Sequence, residues 1–349
     1  MKRKKTVNFL TVTLFSGILL TFMVFVGIDT ALVGGDEDDG KGFNDIFYTN
    51  EMITEFVGYF DYKVFGHIDK GDYIIGSDDW LFEVVDSQNG YERLLDYIGG
   101  DPLTDEEIVR FSDVVTQRAA LYEKEGKNYM MIVIPDAINV CSDKVPRYLG
   151  EYSSNSRLSQ ITENFGSNGF DGFIDPSDVM KKNRENIALY NNTENSINAY
   201  GAYQIYDTVM DRLSADINTE LDRIKRRQLD FYTRLTDGKT IAKNAGIETI
   251  VKNRTVSLSD NAPENYSIVD SKGDVIVTER TNIDVNNTLV VVECTNSWDR
   301  IQLMPYFSNT FDKVIYRDSL LSDPTAASDQ GAMLVVQVIR ESELETILK

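Results

Sequence analysis

The sequence predicts an α/β protein with a doubly wound, mainly parallel sheet, preceded by one N-terminal transmembrane helix. Three observations predict it. Short β-branched runs recur at residues 73–75, 129–134, 288–292, 313–316 and 334–338. Stretches of helical periodicity separate them, and strands alternating with helices build a parallel sheet. An uncharged apolar run, residues 7–28, follows the basic stub MKRKK and reaches the ~20 apolar residues that cross a bilayer.

The basic residues Lys2, Arg3, Lys4 and Lys5 hold the N-terminus in the cytoplasm. The apolar run is long for a cleaved signal peptide, so an uncleaved anchor is expected; cleavage near Thr30–Ala31 is the alternative. Residues 1–33 form the stub and signal-anchor. Residues 34–61 begin with the acidic linker GGDEDDGKG, too polar to pack. They continue into a docking helix, with Phe47, Met52, Phe56 and Phe60 near helical spacing. Residues 62–349 form the extracytoplasmic domain.

Within that domain, residues 104–125 open with Thr-Asp-Glu-Glu, a capping-box start, and stop at Gly126. Residues 199–216 are helical. Residues 217–233 are expected to continue as helix, because ELDRIKRR supplies close opposite charges. Residues 260–284 alternate weakly and suggest a small antiparallel excursion or a loop. Trp80, Leu81 and Phe82 follow a turn and read as core.

Net charge excludes one class of partner. At −21, the chain offers no basic surface for nucleic acid. One histidine, His67, and two distant cysteines, Cys141 and Cys294, give no zinc-type spacing. Asp36–Asp39 lacks the ligand spacing of a calcium loop, and no Gly-rich phosphate loop follows a strand. No metal or cofactor is expected. Both cysteines follow apolar runs; a disulfide is conceivable outside the cell, but two buried thiols are the simpler expectation. Asn191-Asn192-Thr193 forms a glycosylation sequon.

The stretch LYNNTENSINAYGAYQIYD, residues 189–207, resembles the block YxxTDTHWNxxGAYxAY of the SGNH-hydrolase-like alginate O-acetyltransferase family, whose Gram-positive relatives are called DHHW proteins. Tyr190, Thr193, Asn198, Gly201, Ala202 and Tyr203 keep the frame. Glu194 stands where the family has its triad Asp, and Ser196 where it has its triad His. Other blocks fall in the family's order. IGSDDWLF at 75–82 resembles GxDGWLF. IVIPDAINVCSDKVP at 132–146 resembles a strand and loop, xxIPxKxxVYPExLP. Residues 290–318 resemble the nucleophile block, a strand followed by DSF and PFL, and residues 334–348 resemble the closing strand and ERxL segment.

The resemblance implies an SGNH-like fold and a setting in cell-surface or exopolysaccharide O-acetylation. It also implies a multi-pass membrane-bound O-acyltransferase and a cell-surface polysaccharide as partners. The residues themselves argue that the triad is degenerate. A serine hydroxyl needs an imidazole to take its proton, because the imidazole titrates near operating pH. Ser196 cannot do that, and Glu194 then has nothing to orient. At the nucleophile position, Asn296-Ser297-Trp298 resembles Asp-Ser-Phe, with Pro305 at a suitable distance; Glu293-Cys294 is the other candidate. His67 is a weaker candidate for a relocated base. The expectation is therefore a membrane-anchored pseudoenzyme, acting as a glycan-binding or scaffold component of polysaccharide acetylation. The alternative is an active acetyltransferase or acetylesterase using Ser297 or Cys294.

Overall fold

The structure, a computed structural model, describes residues 73–86, 90–217, 223–273, 275–281, 289–317 and 331–348. The expected anchor, linker and docking helix, and His67, lie outside the described residues. Among the described residues no helix is long and apolar enough to cross a membrane.

In chain order the elements begin with β1 (Tyr73–Ile75), β2 (Leu81–Glu83), α1 (Arg93–Tyr97), α2 (Asp105–Lys124) and β3 (Asn128–Ile134). They continue with α3 (Ala137–Val140), α4 (Arg157–Asn168), β4 (Phe173–Ile174), α5 (Ser177–Asn183) and α6 (Ala199–Ile217). Then come β5 (Phe231–Asp237), α7 (Thr240–Asn244), β6 (Lys252–Leu258), β7 (Tyr266–Lys272) and β8 (Val275–Arg280). The last are β9 (Leu289–Cys294), α8 (Ser297–Thr310), β10 (Lys313–Arg317), β11 (Ala332–Arg340) and α9 (Leu344–Leu348).

The central sheet runs β4-β3-β11-β9-β10-β8-β7. Strands β4 to β10 in that order pair in parallel; β8 and β7 add an antiparallel edge. Strand side chains alternate between two cores. Met130, Ile132 and Ile134 of β3 face one, with α6 and α8; Tyr129, Met131 and Val133 face the other, with α2, α4 and α9. Burial on both faces explains why these strands read as continuous apolar runs. The capping box forms as the sequence suggests: Glu107 N donates to Thr104 Oγ1 at 3.3 Å, and Thr104 N donates to Glu107 Oε2 at 2.9 Å.

Two expectations are corrected. The 73–75 run is not a strand of the main sheet; β1 pairs only with β2, in a separate hairpin. Residues 217–233 do not continue the helix. α6 ends at Ile217, Arg226–Gln228 make one 3-10 turn, and β5 begins at Phe231 and pairs antiparallel with β6. The opposite charges read as helical i,i+4 partners go elsewhere: Arg223 instead reaches back to Asp207 at 3.4 Å on α6. The excursion expected at 260–284 is the β7–β8 hairpin.

Candidate functional site

The block at 189–207 is a folded loop leading into α6, and its retained frame residues hold that loop. Asn198 Oδ1 accepts from Tyr200 N at 3.0 Å and Gly201 N at 3.1 Å, capping the helix, while its Nδ2 donates to Ala188 O. Gly201 is required by close approach: a Cβ there would lie 2.3 Å from Leu189 O. Tyr190 OH donates to Pro135 O at 2.6 Å, at the end of β3. Thr193 Oγ1 donates to Asn253 Oδ1 at 2.8 Å and accepts from Lys239 N at 2.9 Å. Asn195 has φ 56°, a left-handed geometry that Asn tolerates. It clamps β2, accepting from Glu83 N at 2.9 Å and donating to Leu81 O at 2.8 Å.

This clamp opens a cleft at the carboxyl ends of β3, β9 and β11, where open α/β sheets carry their sites. A deeper chamber of about 70 Å³ is lined by Ile134, Asp136, Tyr190, Ile197 and Asp299, among others. A wider chamber of about 300 Å³ adds Asn296, Trp298 and Glu343. Glu83, Arg93, Glu194, Ser196 and Arg340 line both, so the two are continuous.

Of the candidate residues, Glu194 and Ser196 line the cleft. Ser196 Oγ accepts from Asn191 Nδ2 at 2.9 Å. Burial raises the Glu194 carboxyl, opposed by the Lys239 charge and a hydrogen bond from Thr240. The other block meets this one directly: Trp298 Nε1 donates to Ile197 O at 3.0 Å. Ser297 is the first residue of α8; it is exposed and lies beside the cleft without lining it. Asn296 caps α8, accepting from Trp298 N at 2.9 Å and Asp299 N at 3.4 Å.

Cys294 lies beneath the cleft, 1% exposed, with Sγ donating to Asn296 O at 3.3 Å. Burial first, then Asp299, push its thiol well above the usual range, which suppresses the thiolate. Its neighbour Glu293 points to the opposite face of β9. There it is fully buried and accepts from Arg118 Nη2 at 2.8 Å and Arg317 Nη2 at 2.6 Å. Glu293-Cys294 thus splits across the sheet by strand alternation and cannot act as an acid–nucleophile pair in one cleft. Cys141 and Cys294 are both free and buried. Asn191 of the sequon is also fully buried, so the folded chain cannot carry a glycan there.

The sequence reading missed the cleft's charged wall. Arg93 Nε donates to Asp136 Oδ1 at 3.3 Å, and its other nitrogens contact Glu83 and Asp86. Arg340 pairs with Asp299 through two bonds of 2.6 and 3.0 Å. Glu341, fully buried behind this wall, accepts from Asp136 N at 2.7 Å, Asn139 Nδ2 at 2.6 Å and Tyr152 OH at 3.0 Å. Burial, then the charges of Asp136 and Asp96, hold its carboxyl well above the usual range. A usable signal existed: Asp136, Asp299 and Arg340 each sit at or just past the end of a parallel strand. Among the described residues no group of His, Cys, Asp and Glu is arranged to hold a metal ion. The arrangement offers hydrogen-bonding carboxylates, guanidinium groups and hydroxyls to a polar ligand.

Fold and cleft define a mixed α/β protein with its site at the carboxyl edge of a mainly parallel central sheet. No family model matches the chain, and no curated protein is similar to it. Solved structures are similar. Bacillus cereus PatB1, solved with a sulfonyl adduct, aligns with TM-score 0.53 at 14% identity, covering 78% of this chain and 96% of that one. A DHHW family protein from Eubacterium siraeum aligns with TM-score 0.52 at 13% identity, covering 77% of this chain and 91% of that one. The O-acetyltransferase domain of Pseudomonas putida AlgJ aligns with TM-score 0.47 at 13% identity, covering 79% and 92%. The PatB1 and DHHW family structures share the fold that the order of the sequence blocks implies.

Proposed function

We propose that this chain is a membrane-anchored, extracytoplasmic relative of polysaccharide O-acetyltransferases that binds glycan in its cleft without catalysing acyl transfer. One observation carries the reading. The two positions that resemble the family's His and Asp lie in the cleft as Ser196 and Glu194. Neither is an imidazole, the group that takes a serine's proton near neutral pH. Two further features support it. The backbone amides of Trp298 and Asp299 at the start of α8, candidates for stabilising an oxyanion, are engaged by Asn296. The Cys294 thiol is buried and held protonated. The partners proposed with this function are a cell-surface polysaccharide and a membrane-bound O-acyltransferase beside which the protein would act. The membrane attachment is proposed through residues 7–28.

The test is turnover of acetyl esters by the full-length protein, alongside Ser297→Ala, Cys294→Ala and His67→Ala. General-base assistance contributes about 10²–10⁴-fold to rate. The wild type is expected to be indistinguishable from all three variants. Wild-type turnover lost in any one of them would overturn the reading and name the group responsible.

A further inference from the structure

Trp298 is 41% exposed at the mouth of the cleft, an unusual place for a tryptophan. Its position is fixed. The indole Nε1 donates to Ile197 O at 3.0 Å, and the backbone N is held by Asn296 Oδ1 at 2.9 Å. One turn further along α8, Ile301 is 52% exposed on the same helical face. A tethered ring with an open face is a stacking surface, and it costs little ordering on binding.

Behind it the cleft is lopsided in charge. Glu83, Asp86, Asp136, Glu194, Asp299 and Glu343 line it, against the guanidinium groups of Arg93 and Arg340. Both arginines are committed, Arg93 to Glu83, Asp86 and Asp136, and Arg340 to Asp299. Asp136, with its side chain 11% exposed, keeps Oδ2 buried and without a hydrogen-bond partner. Glu194 has the Lys239 charge and the Thr240 hydroxyl beside it. Burial raises the carboxyls of Glu83, Asp136, Glu194 and Glu343, opposed by the neighbouring charges of Arg93, Lys239 and Arg340. A cleft of one sign with low-dielectric walls concentrates ligands of the other sign. Tryptophan is also the aromatic side chain best suited to hold a ligand cation over its face.

We propose that the cleft selects a glycan carrying a free amine, a hexosamine unit that is not N-acetylated. One sugar ring stacks on Trp298, and the ammonium is directed to the carboxylates around Glu194. The same wall disfavours uronic-acid polymers, whose carboxylates would meet like charge. This inference rests on the reading of the cleft as a glycan site.

The experiment is calorimetric titration of the full-length protein, in mild detergent, with three tetrasaccharides: glucosamine, N-acetylglucosamine and galacturonate. The glucosamine tetramer is expected to bind at least tenfold tighter than its acetylated counterpart, and to weaken as salt rises. Trp298→Ala is expected to weaken both hexosamine ligands about tenfold, whereas Trp298→Phe retains most binding. Glu194→Gln is expected to weaken the amine form alone. Thermal melts of each variant establish that it is folded. Equal binding of the acetylated tetramer, or preference for galacturonate, would overturn the amine inference and leave glycan binding standing. Absence of binding by all three at millimolar concentration would overturn both.

Discussion

Replacing Glu293 with Gln is predicted to destabilise the fold severely and leave the cleft's ligand preference unchanged. The Glu293 side chain is 0% exposed, and Arg118 and Arg317 are 9% and 10% exposed around it. Tyr122 OH also donates to the carboxylate at 3.3 Å, and Arg317 Nε donates at 3.1 Å. Substitution by the amide preserves shape but leaves two buried guanidinium groups facing a neutral group. Breaking such a buried pair from one side typically costs about 3–5 kcal/mol. At about 2–4 °C per kcal/mol for a large domain, that is a fall of about 10 °C in melting temperature. Urea titration of wild type and Glu293→Gln measures it. Adding Arg317→Met should recover part of the loss, since removing both partners of a buried pair is far milder than removing one. A loss under about 1 kcal/mol, the range of exposed ion pairs, would refute the reasoning and show that water reaches this cluster.

Other outcomes follow from the same structure. Asn195→Ala removes both bonds that clamp β2 and should cost about 2–3 kcal/mol in a melt, at about 1 kcal/mol or more per bond. Burial pushes the Cys141 thiol up to about 12 and the Cys294 thiol well above the usual range, so neither should react with iodoacetamide at pH 7.5 until the protein is unfolded. The raised carboxyls of Glu341, Asp136 and Glu194 set the sign of acid stability. Their folded pKa exceeds the unfolded one, so their contribution is complete below the unfolded value and is lost as pH rises through the folded value. The melting temperature should therefore rise as pH falls toward the unfolded carboxyl value of about 4, and Glu341→Gln should flatten that slope. Restoring the motif with Glu194→Asp and Ser196→His should not by itself give esterase activity, because Asn296 still engages the amides of Trp298 and Asp299; turnover of an acetyl ester by that variant would show those donors to be usable.

The central strands were legible because burial on both faces writes itself as unbroken apolar runs, as in residues 129–134 and 334–338. The helix at 105–124 was legible from its own cap. The β5–β6 hairpin was not. Its first strand, FYTRLTD, lies largely exposed and its second, KNRTVSL, is only partly buried, so no clear apolar alternation marks them, and the preceding charge-rich segment mimics a helix. In the cleft, Glu194 and Ser196 were visible because they fall inside a block whose frame, Tyr190, Thr193, Asn198, Gly201, Ala202 and Tyr203, is kept. Arg93, Asp136 and Arg340 were not. Each is a lone charged residue, Arg93 at the start of α1 and the other two at the ends of β3 and β11, and only the tertiary topology brings these elements to one place.

The central claim is that this cleft has no activated nucleophile, and covalent probing tests it without knowledge of the substrate. PatB1 has been solved with a sulfonyl adduct on the same fold. Treating the full-length protein with a sulfonyl fluoride at pH 7.5 and measuring its intact mass asks whether any serine here is reactive. A hydroxyl without a neighbouring base remains a weak nucleophile, so the mass is predicted to stay unchanged. A single stoichiometric adduct mapping to Ser297, and absent from Ser297→Ala, would contradict the account.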